Sequence, residues 1–316
     1  MKDLVVREET TPSTKYGTRP DERSIQELLE FGIVVIDKPA GPTSHQVSAY
    51  VQQILGIDKS GHSGTLDPKV TGVLPVALGR ATRLMEYGLK AGKTYVGVMH
   101  LHDDIAEYEL RKAAHHFIGT ITQLPPKRSA VARRNRKREV YDFKFLEIKG
   151  RDILFIADVQ AGTYIRKLCH DFGEHLGVGA HMAELRRTKA GPCTEDQCVT
   201  LQQLSDTYAL ALEGDEKLFR EIVRPAEDYV KHLPAIIVNE SAIHSLTNGA
   251  TLKNPGISKY SPEIKKKDRI RVLTPKLELI GIGVARSDAK YFSEQRGVAA
   301  KMDKVFMESS VYPRMD

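Results

Sequence analysis

Between Thr43 and Leu78 a helix, a glycine-rich loop and a strand follow in quick succession, and this order constrains the fold more than any other stretch. Thr43 and Gln46 have the spacing of a capping box, Val47, Tyr50, Val51, Ile54 and Leu55 line one helix face, and Gly56 stops the helix. The loop "GHSGTLDPKVTG" (61–72) comes next, then the strand "VLPVAL". Glycine gives a backbone that another group can approach closely, and Pro68 pushes the residue before it into an extended conformation. Asp67 is therefore held out among Gly61, Gly64 and Gly72 for a partner to reach. A turn with a surface carboxylate would use the same residues, because Asp-Pro and glycine are common turn punctuation. The remainder of the chain has to separate the two.

A length of 316 residues suffices for two domains, or for one large domain with an appendage. Apolar residues make up 41% and charged residues 28%, and no apolar run approaches the roughly 18 residues that would span a bilayer. The polar N-terminus lacks the charged start and apolar segment of a signal peptide, so a cytoplasmic protein with no membrane partner is expected. Cys169, Cys193 and Cys198 offer neither a disulfide framework nor paired zinc-ligand spacing. The net charge of +6 is modest, but it is clustered. "KRSAVARRNRKR" (127–138), with Arg133, Arg134 and Arg136, contains no acid, and "KKKDRIR" (265–271), with Lys266 and Lys267, is a second basic knot. Two such runs point toward nucleic acid rather than merely solvated faces.

Residues 1–23 have no periodicity and read as an arm that orders by packing on something else. "SIQELLEF" is expected to be helical, "GIVVID" a buried strand and "KPAGPTSH" a turn-rich connection. "RATRLMEYGLK" is expected as a helix, and "KTYVGVMHL" as a strand with Tyr95, Gly97, Met99 and Leu101 on one side. After a helix over 106–118 and the basic loop, "YDFKFLEI" and "ILFIADVQ" form a hairpin. "TYIRKLCHDFGEHLG" is an amphipathic helix and "HMAELRRTKAG" a returning strand. Two short helices lead to Pro225, and from Pro234 the segments "AIIV", "GATL", "RIRVL", "LIGIGVAR" and "VAAKMDKVFM" alternate around one short helix as a small, mainly β unit.

"KPAGPTSH", "GHSGTLDPKVTGVLPVALGRAT", "KTYVGVMHL", "GTYIRKLCHDFGEHLG" and "LRRTKAG" together resemble the TruB-type pseudouridine synthases, most of all their dyskerin-like branch, the catalytic subunits of box H/ACA guide ribonucleoproteins. Residues 234–307 resemble a PUA domain through "LTNGATLKNPGI" and the paired strands after it. Two positions depart from the PUA pattern: Lys267 precedes Asp268 where many such domains have glycine, and Leu277 replaces an expected turn glycine, which puts turn geometry in question more than fold. The resemblance implies an α+β, mixed α/β architecture. An arm over 1–30 packs on the PUA domain, a catalytic domain on a central, largely antiparallel sheet covers 31–230, and an RNA-binding PUA domain covers 234–307.

The implied reaction breaks the bond from ribose to nitrogen 1 of uracil, rotates the base and joins carbon 5 in its place. No electrons leave and no group is transferred in, so no cofactor is expected, and the chain carries neither GxGxxG after a strand nor a P-loop. What the chemistry needs is a carboxylate, as nucleophile or as electrostatic partner of the detached sugar, and the resemblance assigns that role to Asp67. It makes Arg166 the neighbour that keeps Asp67 ionised and Tyr95 the ring that stacks on the flipped uracil. A plain surface charge and a core aromatic are the ordinary alternatives for these two.

The resemblance further implies that His62 contacts RNA beside the vacated base stack, and that Thr65, Tyr164 and Leu185 wall the pocket, although core packing suits Tyr164 and Leu185 equally well. Lys38 is structural or faces a phosphate. Arg133, Arg134 and Arg136 belong to a mobile thumb that closes over RNA, while Gly249, Lys253, Lys266 and Lys267 belong to the PUA RNA surface. "HLHDD" (100–104) alternates histidine and acid as a strand-borne metal site would, but a metal has no task in this isomerisation, so none is assigned.

The function expected from this is RNA-guided isomerisation of uridine in ribosomal RNA, with transfer RNA as the second candidate substrate, within a box H/ACA particle. Its partners would be a guide RNA and small accessory proteins known only through the resemblance. The absence of long lysine-rich tails favours an archaeal cytoplasmic protein. Two alternatives stand beside it: a stand-alone transfer-RNA pseudouridine synthase, and a non-catalytic RNA-binding scaffold.

Overall fold

The structure, a computed structural model, describes residues 4–89, 91–124 and 134–314. Strand β1 (Val5–Val6) and helix α1 (Ile25–Glu30) lie in the N-terminal arm. There follow β2 (Gly32–Lys38), α2 (Ser44–Leu55), β3 (Ser60–His62), β4 (Thr71–Leu78), α3 (Met85–Leu89), β5 (Lys93–Leu101), α4 (Glu107–His116), β6 (Gly119–Gln123) and β7 (Arg136–Lys149). Next come β8 (Asp152–Val159), α5 (Ile165–His175), β9 (Ala180–Ala190), β10 (Cys193–Thr194), α6 (Leu201–Leu212), α7 (Lys217–Ile222) and β11 (Val223–Pro225). The last part of the chain holds β12 (Ala235–Val238), α8 (Glu240–Thr247), β13 (Leu252–Lys253), β14 (Ile257–Tyr260), β15 (Arg269–Leu273), β16 (Leu279–Ala285) and β17 (Val298–Val305). Two compact units result: Ile33–Val223, and the two chain ends up to Gly32 and from Arg224.

The first unit is built on a sheet in which β2, β4, β9, β5, β8, β7 and β6 lie side by side, with β3 on β4 and β10 on β9. Only the short β4–β9 contact, Thr71 to Arg186 and Gly72 to Arg187, is parallel among the pairings of this sheet's strands β2 to β10. The fold is thus the expected mixed α/β one on a largely antiparallel sheet. Strand β5 alternates buried and half-buried along its whole length, so Tyr95, Met99 and Leu101 enter one core with Phe143, Phe155 and Phe172. Helix α5 contributes Ile165, Leu168 and Phe172 to that core, as its periodicity predicts.

Three local expectations change. "RATRLMEYGLK" forms a 3-10 turn over Gly79–Leu84 before a short α3, because Thr82 Oγ1 donates to the Gly79 carbonyl at 3.0 Å and competes with regular helix bonding. The basic run does not stay a loop to residue 138: β7 begins at Arg136, and Arg136, Lys137 and Arg138 pair with Gln123, Thr122 and Ile121 of β6. Consecutive cations hid this strand, because backbone pairing is indifferent to side-chain charge at an exposed end. Strand β14 was equally masked by Ser258 and Lys259.

The second unit is a seven-stranded sheet in the order β1-β14-β12-β15-β16-β17-β13, the small, mainly β PUA-type unit expected. Ile236, Val238, Ile270, Val272, Ile280 and Phe292 are fully buried in its core. Among the described residues, the two non-glycines in the left-handed region are Lys267 (φ 79°) and Leu277 (φ 72°), the same two positions where the sequence lacks the usual turn glycine. The turns keep glycine's geometry without glycine.

Candidate active site

The loop carrying Asp67 is fixed from several sides. In the helix before it, α2, the capping box is closed, with Gln46 N–H donating to Thr43 Oγ1 at 3.1 Å and Thr43 N–H to Gln46 Oε1 at 2.8 Å, and Gly56 ends α2 at φ 63°. Lys38, at the end of β2, is fully buried and donates from Nζ to the carbonyls of Pro39 (2.8 Å), Pro68 (3.0 Å) and Val70 (2.9 Å). Arg187 on β9 is also fully buried, donating from Nε to the Val73 carbonyl at 2.8 Å and from Nη1 to the Gly64 carbonyl at 2.9 Å. Two buried cations thus hold the loop's backbone on both sides of Asp67 through charge-assisted hydrogen bonds. The close approach is why glycine is needed at 72: a Cβ there would sit 2.2 Å from the Arg187 carbonyl oxygen, at φ 100°.

Asp67 itself projects outward, its side chain 53% exposed, and Arg166 forms an ion pair with it from the second residue of α5. The start of that helix is pinned by Gln123 of β6, nearly fully buried, which accepts from Tyr164 N–H at 2.9 Å and donates to the Tyr164 carbonyl at 3.1 Å. Tyr95 is 7% exposed, opposite Ala157 on β8 and Arg187 on β9. It shares a hydrophobic cluster with Leu66 and Val70, which flank Asp67, and with Ile165, which precedes Arg166. Loop, strand and helix are therefore joined by one packed core beneath the carboxylate–guanidinium pair.

His62 ends β3, opposite Val76, with both ring nitrogens buried and without a hydrogen-bond partner among the described residues. Burial, with the positive fields of His45 and Arg187, pushes its pKa down to about 4. Lys93, on the same face of β5 as Tyr95, is buried near Arg187, and burial first, then that guanidinium, push its pKa down to about 8. A Cβ on Gly64 would meet Lys93 Cε at 3.0 Å.

The chain matches the TruB family pseudouridylate synthase N-terminal domain over residues 52–165 and the tRNA pseudouridylate synthase B C-terminal domain over 166–231. A DKCLD domain matches over 1–48 and a PUA domain over 234–306. It is 47% identical, over 99% of its length and 93% of the relative's, to the probable tRNA pseudouridine synthase B of Methanopyrus kandleri. The chain belongs to the TruB family of pseudouridine synthases. The corresponding protein of Nanoarchaeum equitans is 48% identical, over 99% and 90% of the two chains. Among solved structures, a chain of an H/ACA RNP bound to a substrate RNA containing 2'-deoxyuridine is 43% identical, with a TM-score of 0.91 over 99% of this chain and 96% of that one. A chain of a Cbf5-Nop10-Gar1 complex is 44% identical, with a TM-score of 0.91 over 100% and 97%.

As a TruB-family synthase the chain is an isomerase. Its carboxylate, guanidinium and buried phenol ring come together from a loop, a helix and a strand more than 25 positions apart in sequence. Of the remaining candidates, Thr65 is exposed on the same loop and Tyr164 is half-buried as the N-cap of α5. Leu185 is half-buried opposite Gly97 and packs on the core. Lys38 is the structural of its two alternatives: all three of its protons are taken by carbonyls, so none is left for a phosphate. Arg134 is exposed and Arg136 is on β7, whereas Arg133 lies outside the described residues.

In the PUA unit Gly249 (φ 83°), Lys253, Lys266 and Lys267 are all exposed. In "HLHDD", His100 Nδ1 meets Asp152 at 2.7 Å and His102 Nε2 meets His181 at 3.0 Å, while Asp103 and Asp104 pair with Arg151. Among the described residues no group of three or more such side chains is arranged around a metal. Sequence reasoning missed Arg187, Gln123, Lys93, Ser44 and His45. Of these, Arg187 lies in "LRRTKAG", Ser44 and His45 in "KPAGPTSH" and Lys93 in "KTYVGVMHL", whereas Gln123 lies in none of the motifs.

Proposed function

We propose that this pseudouridine synthase is the catalytic subunit of an RNA-guided, box H/ACA-type particle that isomerises uridines in ribosomal RNA. The observation that carries the proposal is the exposed Asp67–Arg166 pair, whose loop and helix share one core with Tyr95. In this reading Asp67 acts as nucleophile or electrostatic partner of the detached sugar, Arg166 holds its charge and orientation, and Tyr95 stacks on the flipped uracil. His62 contacts RNA at the loop, and Thr65, Tyr164 and Leu185 wall the pocket. Arg133, Arg134 and Arg136 grip phosphates, which carry no sequence.

Such a pocket handles one base, so site selection comes from pairing with a guide. Gly249, Lys253, Lys266 and Lys267 in the PUA domain dock that guide, with the N-terminal arm belonging to the same RNA-binding unit. Similarity along the whole chain to proteins solved within H/ACA and Cbf5-Nop10-Gar1 assemblies supports a guide and small accessory proteins as partners, and the archaeal relatives support a cytoplasmic setting. No helix among the described residues is long and apolar enough to cross a membrane.

The relatives, probable tRNA pseudouridine synthases B, favour a second reading, direct modification of transfer RNA. Tritium release from 5-tritiated substrate separates them. Release from an rRNA fragment only when a matching guide RNA is added supports the guided role. Release from transfer RNA alone, with no gain on the rRNA fragment from a guide, transfers the assignment to the stand-alone enzyme.

A further inference from the structure

The first two turns of α2 are bonded to the catalytic loop at several points. Ser44 is fully buried, and its hydroxyl accepts from the N–H of Leu66, the residue before Asp67, at 2.9 Å and donates to the Leu66 carbonyl at 3.3 Å. One turn on, Ser48 and Ser60 share a hydroxyl contact of 2.6 Å, and Ser60 Oγ donates to the Ser48 carbonyl at 2.9 Å. Between these anchors the exposed His45 sets its ring against that of His62, with centroids 4.7 Å apart and planes at 69°. The edge-to-face geometry is a favoured one for aromatic rings.

The plane of an imidazole is usually set by a hydrogen bond through one of its nitrogens. Among the described residues His62 has none, since both nitrogens are buried without a partner there. Its orientation is left to packing, and His45 supplies the ring contact from a helix start that is itself capped and bonded to the loop. The charged or titratable groups that face His62 are His45 and Arg187, both opposed to its protonation, so the ring is neutral near pH 7.

We propose that His45 is a positioning residue for His62: its ring fixes the plane in which His62 meets RNA beside Asp67. The proposal rests on the RNA-contacting role of His62 in the reading above. A ring orientation held by packing alone is lost when the packing ring is lost, and misplacement of about 1 Å near reacting groups can cost up to about a hundredfold in rate. The contact needs an aromatic ring and does not need a charge, so phenylalanine should replace His45 where alanine cannot.

The test compares the full chain with His45→Ala and His45→Phe, each assembled with guide RNA, by single-turnover tritium release, thermal melting and imidazole NMR titration of His62. For His45→Ala the expected result is a fall in turnover of about tenfold with KM changed by less than about twofold, an interaction expressed after binding. Its melting temperature should stay near wild type, and His62 should titrate well above about 4 because burial has been lost. His45→Phe should recover turnover to within about twofold and keep His62 low, since burial is the larger cause of its shift. Wild-type turnover in His45→Ala overturns the proposal, as does equal impairment of both variants. A rise in KM in both variants also overturns it, because it makes His45 a direct RNA contact. If wild type releases no tritium with any guide, the guided reading fails, and the NMR comparison still decides whether His45 holds His62.

Discussion

At the residue scale the site divides into the group proposed to do the chemistry and the groups that hold it. Asp67 is half-exposed, and its only described side-chain partner is Arg166, so replacing the carboxylate disturbs little else. Asp67→Asn keeps size and hydrogen-bonding capacity but removes the charge and the nucleophile. Tritium release is expected to fall to background while RNA affinity stays within about threefold of wild type. Turnover comparable to wild type would remove Asp67 from the mechanism.

Lys38 is the opposite case. Its burial and its bonds to three carbonyls make it a structural pin, and burial lowers its pKa. Lys38→Met keeps the length of the side chain and strips the carbonyls of Pro39, Pro68 and Val70 of a shared donor, which should cost about 2–4 kcal/mol in a urea titration. Unchanged stability would mean that water replaces the ammonium without loss.

Elements were legible where periodicity and punctuation agree. The α2 capping box and its glycine stop, the strict alternation of β5 and the apolar face of α5 were all read from residue types, because each depends on contacts within a few positions of itself. Asp67 could be singled out for the same local reason, the glycines and proline around it. What holds the Asp67 loop was not legible: Arg187 reaches the carbonyls of Gly64 and Val73 from β9, and Gln123 of β6 bonds the backbone of Tyr164 at the start of the Arg166 helix, and such contacts depend on strand order rather than on spacing. Strand β6 itself went unread, because its partner residues on β7 are a run of cations.

The two left-handed turns of the PUA unit show how far a missing glycine can be tolerated. Lys267 N–H donates to the Ala285 carbonyl at 2.9 Å, and Lys265 N–H to Asp268 Oδ2 at 2.8 Å, so the turn's bonds hold an L residue at φ 79°. Relieving that conformation gains more than the entropy that glycine adds to the unfolded chain, and Lys267→Gly should stabilise the unit by about 0.5–1 kcal/mol. Lys267→Ala keeps the strain and should give no gain. Equal melting temperatures for the glycine and alanine variants would show that the strain is negligible.

For the whole molecule, the N-terminal residues are part of the PUA-type unit's own structure rather than an accessory to it. Strand β1 adds an edge to the seven-stranded sheet, with Val5 opposite Tyr260 and Val6 opposite Lys259. Arg7 Nε donates to the Phe292 carbonyl at 3.1 Å, and Ser13 N–H donates to Glu240 Oε1 at 2.6 Å. The tightest tie is at Glu278, a nearly buried carboxylate that accepts from Thr18 N–H at 3.0 Å, Thr274 Oγ1 at 2.9 Å and the Tyr312 hydroxyl at 2.6 Å. Beside it Lys276 Nζ donates to the carbonyls of Tyr16 and Gly17. Removing residues 1–19 would uncover the edge of β14 and leave Glu278 without one of its donors, where an under-bonded buried charge is expensive. The sum should be a loss of about 2–4 kcal/mol, read as a lower melting transition of the PUA-type unit by calorimetry. Because that unit carries Gly249, Lys253, Lys266 and Lys267, guide RNA affinity should fall with it, while a second transition belonging to Ile33–Val223 stays at its original temperature. If the shortened chain melts as before and binds guide RNA as tightly, the arm is dispensable to the unit it pairs with, and its contacts contribute nothing net to stability or to RNA.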